Sequence, residues 1–384
     1  MSATVAAVLA PTTDRWRRWF GEAALPFWRT TGWDAATGLF LERLDLDAVP
    51  DRTAGSRVRT QARQVYVYAH AYLLGLDPEG LATARTALLT LRRCAWSPDG
   101  RPGWVHRLDA EGRAVDDTRD LYDHAFVLLM LAYYLRASGE GFVRPWIDAT
   151  LAEIDAVFAA PHGGLAETGT GGLPRRQNPH MHLLEAMLAL YDATGEARFL
   201  ARAGELFGLF RTRFFDQEQG VLREFFAADW GLLDDGRSDA VEPGHLVEWV
   251  WLLRRYAASN GRPVADLCAR LLDNGRRLGT CGPERAFLAD VTDLAGRPIG
   301  SGRRLWPQTE LVKALVVEAR ARGDAALAER AVAVSEQIFA TYLADTPSGT
   351  WRDAFDLEGR PTTDHVPAST LYHLFGVLAE LQRG

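Results

Sequence analysis

A chain of 384 residues, 47% hydrophobic and 24% charged, carries enough apolar material for a large core and the polarity of an ordinary globular protein. Its net charge of −7 leaves no basic footprint for a nucleic acid, and no stretch reaches the roughly 18 uninterrupted apolar residues of a membrane span. Three cysteines, Cys94, Cys268 and Cys281, share no metal-ligand spacing and read as reduced thiols of a cytoplasmic protein.

The first apolar run, residues 5–9, has no basic segment before it and Asp14-Arg15 after it, the pattern of neither a signal peptide nor a span. From Leu39 to Asp47 an alternating aromatic and polar run predicts a short β-ribbon. It leads to the polar cluster Arg57-Val-Arg-Thr-Gln61 at the start of an apolar stretch. Residues 81–93 are one-sided and predict a surface helix. A second ribbon, from Trp104 to Arg113, leads to Asp120-Leu-Tyr122-Asp-His124, and residues 121–135 are apolar nearly all round, the pattern of a buried helix.

The alternation then continues. Asn178-Pro-His180-Met-His182 opens the buried stretch 181–191, and the one-sided stretch 198–212 follows. Pro243-Gly-His245-Leu-Val-Glu248-Trp249 opens the buried stretch 246–253. Trp306-Pro-Gln308-Thr-Glu310 and Ser369-Thr-Leu-Tyr372-His373 open the last two, with the one-sided stretch 325–342 between them. Asp293-Leu-Ala-Gly-Arg-Pro298 and Asp356-Leu-Glu-Gly-Arg-Pro361 mark ribbon turns in the last two long loops.

Polar clusters recurring about every 60 residues are the signature of a repeat architecture whose units cannot bury their apolar faces alone. Six hairpins of alternating character predict an inner ring of six helices inside an outer ring of six. The expected fold is an all-α (α/α)6 barrel over residues 1–384 as one catalytic domain, with β-ribbons in the loops on the side where the inner helices begin. Closing the ring brings the six clusters together at one end of a single cavity, where long structured loops on a rigid scaffold carry function.

Helix geometry then selects side chains. Asn178 and His182 share a face with Glu185 next along it, whereas His180 lies about 200° from His182. His245, Glu248 and Trp249 form one face, as do Trp306 with Glu310 and Arg57 with Gln61. His70, His106 and His162 fall off the pattern and read as structural, while His365 sits in the last long loop. Lys313, the one lysine, lies inside an amphipathic helix pattern, which sets Schiff-base chemistry aside.

Two chemistries fit such a cluster. His-x-x-Glu pairs at His182/Glu185 and His245/Glu248 could hold a metal. The mixture of histidines and carboxylates with Arg, Tyr and Trp instead favours metal-free acid–base work on a polyol. Glycoside hydrolysis through Asp123, Glu248 or Glu310, and a non-catalytic carbohydrate-binding barrel, are further options.

The motifs Arg57-Val-x-x-Gln61-Ala-Arg63-Gln64-Val-Tyr66, Asn178-Pro-His-Met-His182-Leu-Leu-Glu185, Pro243-Gly-His245-x-x-Glu248-Trp249, Trp306-Pro-Gln-x-Glu310 and Tyr372-His373 resemble the N-acylglucosamine 2-epimerase family, in its D-mannose isomerase-like branch. The resemblance spans essentially the whole chain and implies the same barrel. It implies His245 and His373 as the pair moving a proton beside the sugar carbonyl, with Glu248 supporting His245. Arg57, Tyr122, Asn178, His182, Trp306 and Glu310 are implied as substrate-binding positions, with Arg237 before the Pro-Gly-His motif and Trp249 beside Glu248. Paired tryptophans of the disaccharide epimerases are replaced here by Leu305-Trp306, and no phosphate-cradling glycine loop is present. The expected activity is metal-independent, cofactor-free aldose–ketose isomerisation of a free monosaccharide, D-mannose to D-fructose, by a monomer or homodimer. A 2-epimerase of a monosaccharide, N-acylglucosamine or disaccharide is the alternative.

Overall fold

A helix that is apolar on every side has to be surrounded, and six such helices form the inner wall of the protein. The structure, a computed structural model, describes residues 3–383. The first pair is α1 (Ala3–Arg18), continued by a wide turn into α2 (Leu25–Thr30), with α3 (Val58–Leu73). The others are α4 (Gly80–Ala95) with α5 (Leu121–Ser138), α6 (Arg144–Val157) with α7 (Asn178–Thr194), and α8 (Ala197–Leu209) with α9 (Pro243–Asn260). Last come α10 (Ala265–Gly279) with α11 (Leu305–Arg322) and α12 (Ala325–Thr341) with α13 (Leu371–Leu381).

The second member of each pair is interior. Every residue of α5 from Asp123 to Leu135 is buried, whereas α10 buries only a stripe containing Cys268, Leu271, Leu272 and Gly275. Each inner helix packs on the next from α3 round to α13, and α13 packs back on α3, so the ring closes; α1 packs against α12 on the outside. This is the (α/α)6 barrel expected from the periodicity. No helix among the described residues is long and apolar enough to cross a membrane.

The two ends of the barrel differ because the two kinds of connection differ. At the closed end, α5, α7, α9 and α11 stop on Gly139, Gly195, Gly261 and Gly323, with φ of 67°, 70°, 71° and 68°. Glycine adopts this left-handed cap without a Cβ penalty, and the chain turns at once into the next outer helix. At the open end the long connections hold every short strand, and the strands pair between loops as well as within them. Arg43–Asp45 pairs antiparallel with His365–Pro367, Ser56–Arg57 with Arg107–Leu108, Arg175–Arg176 with Phe225–Phe226, and Gly302–Arg304 with Ala354–Asp356. The ribbons thus form a collar round the mouth.

Part of each entrance cluster holds this collar. Gln61 accepts from the Phe40 N–H at 2.9 Å and donates to its carbonyl at 2.6 Å; Gln308 grips Leu288 in the same way at 2.7 and 2.9 Å. His124 and His180 do the equivalent job with Nε2, accepting from the N–H groups of Trp104 and Leu165 at 3.2 and 3.0 Å. Four polar residues at matching points of four inner helices are therefore clamps, which satisfy loop backbone groups that would otherwise be buried without partners.

Candidate active site

Other residues of the inner helices point inward, and their contacts run once round the barrel. On α9, His245 lies with its ring 5.0 Å from that of Trp306 on α11, which is in turn 5.6 Å from the ring of His373 on α13. Tyr372 packs on His373 at 4.7 Å and carries the Arg63 guanidinium of α3 over its face at 5.0 Å. Arg63 also covers Phe126 at 4.2 Å and donates to the Tyr122 hydroxyl of α5 at 2.8 Å. Tyr122 meets His182 of α7 at 4.8 Å, and Asn178 at the start of α7 returns to His245, its Nδ2 3.3 Å from Nε2. The two imidazoles predicted to work together thus flank one indole, although 128 residues apart in the chain.

Their electrostatic settings are opposite. Nδ1 of His245 lies 3.0 Å from Glu224 and 3.5 Å from Glu242, and Gln177 donates to the same Glu224 oxygen at 3.0 Å. Burial opposes a charge here, but the two carboxylates outweigh it, and the His245 pKa is raised to about 10. His373 gives Nδ1 to a single carboxylate, Glu310, at 2.9 Å, and the other Glu310 oxygen is taken by Lys313 at 2.6 Å. Burial dominates at His373 and lowers its pKa to about 3, despite the Glu310 bond. One imidazole is held charged and the other neutral. His182 is of the second kind, lowered to about 4 by burial, with Nδ1 3.3 Å from Glu185; the Tyr372 hydroxyl donates to the same Glu185 oxygen at 2.6 Å.

Some expectations need correction, and other predicted residues are given their place. Glu248 makes no hydrogen bond to His245, whose Nδ1 turns to Glu224, although the Glu248 carboxyl is among the groups that raise the imidazole's pKa. Both Glu248 oxygens are buried without a hydrogen-bond partner among the described residues, in a group with Glu310 and His373. Burial and the neighbouring Glu310 push its pKa well above the usual carboxylate value, which favours the protonated form. Trp249 does not face the cavity: its ring stacks on Phe210 at 4.4 Å and its indole N–H donates to Gln177. Arg57 stays at the rim, donating through Nε to Glu42 at 2.6 Å. Arg237 is about half exposed on a loop and paired with Asp235. Lys313 lies not on an amphipathic helix but within Pro307–Ala319 of α11, a stretch buried throughout, and is itself 2% exposed.

Arg63, Glu224, Glu242 and Lys313 are site residues that sequence reasoning missed. For Arg63 the signal was present, an arginine inside a stretch otherwise fit for an inner helix. Glu224 sits just before the ribbon strand Phe225–Phe226 and had no local signal. His70 is structural as expected, buried against Tyr66, Tyr133 and Phe375. His106 is bound to Asp123 at 2.6 Å, next to Arg59 at the rim.

Three groups place metal-ligand atoms within 4.8 Å of one another: His106 with Asp120 and Asp123, Glu224 with Glu242 and His245, and Glu248 with Glu310 and His373. In each a side-chain cation already pairs with a carboxylate of the group: Arg59 with Asp123, His245 with Glu224, and Lys313 with Glu310. His182 and Glu185 touch as the His-x-x-Glu spacing suggested, but His245 turns to Glu224 instead of Glu248.

A ring of imidazole, indole, phenol and guanidinium groups at the open end of an (α/α)6 barrel defines a sugar-handling barrel enzyme. Residues 38–377 match the N-acylglucosamine 2-epimerase (GlcNAc 2-epimerase) family, and the chain belongs to it. It is 36% identical over 373 residues, 95% of each chain, to a mannose-6-phosphate isomerase of Rhizobium meliloti. It is 28% identical over 360 residues, 86% of each, to a D-mannose isomerase of Thermobifida fusca. A crystal structure of a sugar epimerase from a ruminal bacterium superposes with a TM-score of 0.88 at 22% identity, over 97% of this chain and 99% of that one, which is a likeness of fold. The protein is accordingly an enzyme of the sugar isomerase and epimerase class.

Proposed function

We propose that the enzyme interconverts a free aldose and its ketose, D-mannose and D-fructose, by proton transfer through an enediolate. The single observation that carries this reading is the pair of imidazoles on either side of Trp306, one kept neutral and one kept charged. A base and an acid ready at the same pH are what this reaction requires. With its Nδ1–H on Glu310, neutral His373 presents the Nε2 lone pair and takes the C2 proton of the ring-opened sugar. The electrons of that C–H bond form the C1–C2 double bond, and charge moves onto the carbonyl oxygen at C1. Arg63, the His245 imidazolium and the neutral acid Glu248 donate toward the sugar oxygens, where preorganised donors act on developing charge. The O2 hydroxyl proton passes to O1, which becomes the C1 hydroxyl; the electrons of the C1–C2 double bond take the proton from His373 at C1, and O2 becomes the ketose carbonyl. Tyr122, Asn178 and His182 hold hydroxyls, and Trp306 packs on the carbon skeleton.

Charge at the mouth supports an unphosphorylated sugar. Arg57, Arg59, Arg176 and Arg304 are each matched by a carboxylate, from Glu42, Asp123, Glu167 and Asp290. A dianionic substrate would compete with these carboxylates for the rim arginines. The reading includes a cytoplasmic monomer or homodimer working without cofactor or metal; the three free thiols support the compartment.

Incubation with D-mannose, its 6-phosphate and cellobiose, followed by chromatography, tests the proposal. Fructose from mannose as the first and fastest product is expected. Glucose without fructose would replace the isomerase reading by 2-epimerisation, in which His245 returns the proton to the opposite face of C2.

The spacing of the two imidazoles depends on a glycine. A Cβ on Gly244 would lie 2.6 Å from Cη2 of Trp306 and 2.9 Å from Cβ of Pro307. Gly244→Ala therefore has to displace the indole that both imidazoles pack against. Misplacement of about 1 Å can cost on the order of 100-fold, so a fall in kcat/KM of at least about tenfold is expected, with helix content unchanged. Wild-type kinetics in this variant would show that the indole does not set the geometry.

A further inference from the structure

We propose that Lys313, the chain's one lysine, is a positioning residue for His373. Its buried ammonium keeps Glu310 a carboxylate, so that the imidazole leaves its Nδ1–H on Glu310 and its Nε2 free to face the sugar. The inference rests on the reading of His373 as the base.

The geometry is a short relay. Lys313 lies one turn below Glu310 on α11, its Nζ 2.6 Å from one Glu310 oxygen, while the other oxygen takes His373 Nδ1 at 2.9 Å. Under the ammonium lies the Trp251 ring, 3.7 Å from Nζ to centroid, which favours a cation and offers it no hydrogen-bond acceptor. Three acids face Lys313 from three helices: Glu310 on its own, Glu248 on α9 and Glu185 on α7. Glu185 is already bonded to His182 and Tyr372, and Glu248 has no partner among the described residues. Arg63, across the ring, is the other cation that acts on His373, and Lys313 reaches it through Glu310 as well.

Without the ammonium, Glu248 and Glu310 would be two acids close together in an apolar surround, a situation in which one proton is taken up and can sit on either. A proton on Glu310 makes that oxygen a donor. His373 would then accept at Nδ1 and carry its hydrogen at Nε2, the wrong tautomer for a base. Lys313 places the extra proton on Glu248, where a neutral acid can donate to the sugar, and keeps it off Glu310.

The test compares Lys313→Gln and Lys313→Met with wild type on the isomerisation assay, with His373→Ala run alongside. The expected result is a kcat lower by about 30-fold or more with KM within about threefold, since the base is mis-set and sugar contacts are kept. The acid limb of the kcat profile should also move up by about one pH unit or more, because Glu310 now protonates more easily. Loosened packing alone would lower Tm without moving that limb. A wild-type limb and kcat in Lys313→Gln, with His373→Ala inactive, would overturn the role of Lys313 and leave the base assignment standing; turnover in His373→Ala would overturn the base assignment itself. Should neither lysine variant fold, wild-type enzyme labelled with ¹⁵Nζ-lysine gives one side-chain signal. That signal is expected to stay an ammonium beyond about pH 9 and to shift when a linear hexitol binds; titration below about pH 8 would refute the proposal.

Discussion

His373→Ala is expected to lower kcat for mannose isomerisation by about 10²–10⁴-fold, the usual contribution of a positioned base, while thermal unfolding stays close to wild type. Stability is preserved because Glu310 keeps its Lys313 partner when the imidazole is gone. His245→Ala should be as inactive but also less stable, because it strands Glu224 and Glu242 without their cation. Breaking a buried pair by removing one partner costs about 3–5 kcal/mol. The two variants are therefore separable by calorimetry even where both have lost turnover. Residual kcat within tenfold of wild type in either one would remove that imidazole from the mechanism. The pH profile of the native enzyme follows from the same asymmetry. Its alkaline limb should fall as pH rises through about 10, where His245 gives up its proton, and the neutral His373 should leave the profile flat through mild acidity.

Arg63→Met is expected to lower kcat/KM by about 10²–10³-fold, the range for loss of one preorganised donor at a developing oxyanion. Arg63 is buried, lies over three aromatic rings and forms no ion pair with a carboxylate among the described residues. Its charge is thus uncommitted until a sugar oxygen arrives. Arg63→Lys should recover little, because the planar guanidinium stacks on Phe126 and Tyr372 in a way an ammonium does not. Arg57→Ala is the control, with a loss of less than about tenfold, since Arg57 is already paired with Glu42. The reverse ranking of the two arginines would mean that the rim, and not the aromatic shelf, binds the reacting end.

These two results also mark the border of what the amino-acid order reveals. Periodicity located the inner helices, and the clusters at their entrances located the cavity end, because both are local features of one helix. Contacts across the barrel leave no such trace. Glu224 reaches His245 only because the strand Phe225–Phe226 pairs with Arg175–Arg176 and brings the ribbon over the mouth. The misreading of α9 has a simple geometric cause. Glu248 and Trp249, three and four residues beyond His245, straddle it by about 100° on the helix. The imidazole sits at the boundary of the wall, so one neighbour turns in toward Glu310 and the other turns out onto Phe210. Arg57 and Arg63 were both visible in one motif. Only packing shows that the first sits at the start of a helix beside Glu42 while the second projects into the ring.

Gln61, His124, His180 and Gln308 spend their polar atoms on the collar, and the side chains that form the inward ring hold none of those loop backbones. Scaffolding and reactivity are thus assigned to different positions along the same helices. A lineage could exchange one sugar for another by altering the inward set while the architecture survives untouched, a separation that makes such barrels easy to diversify.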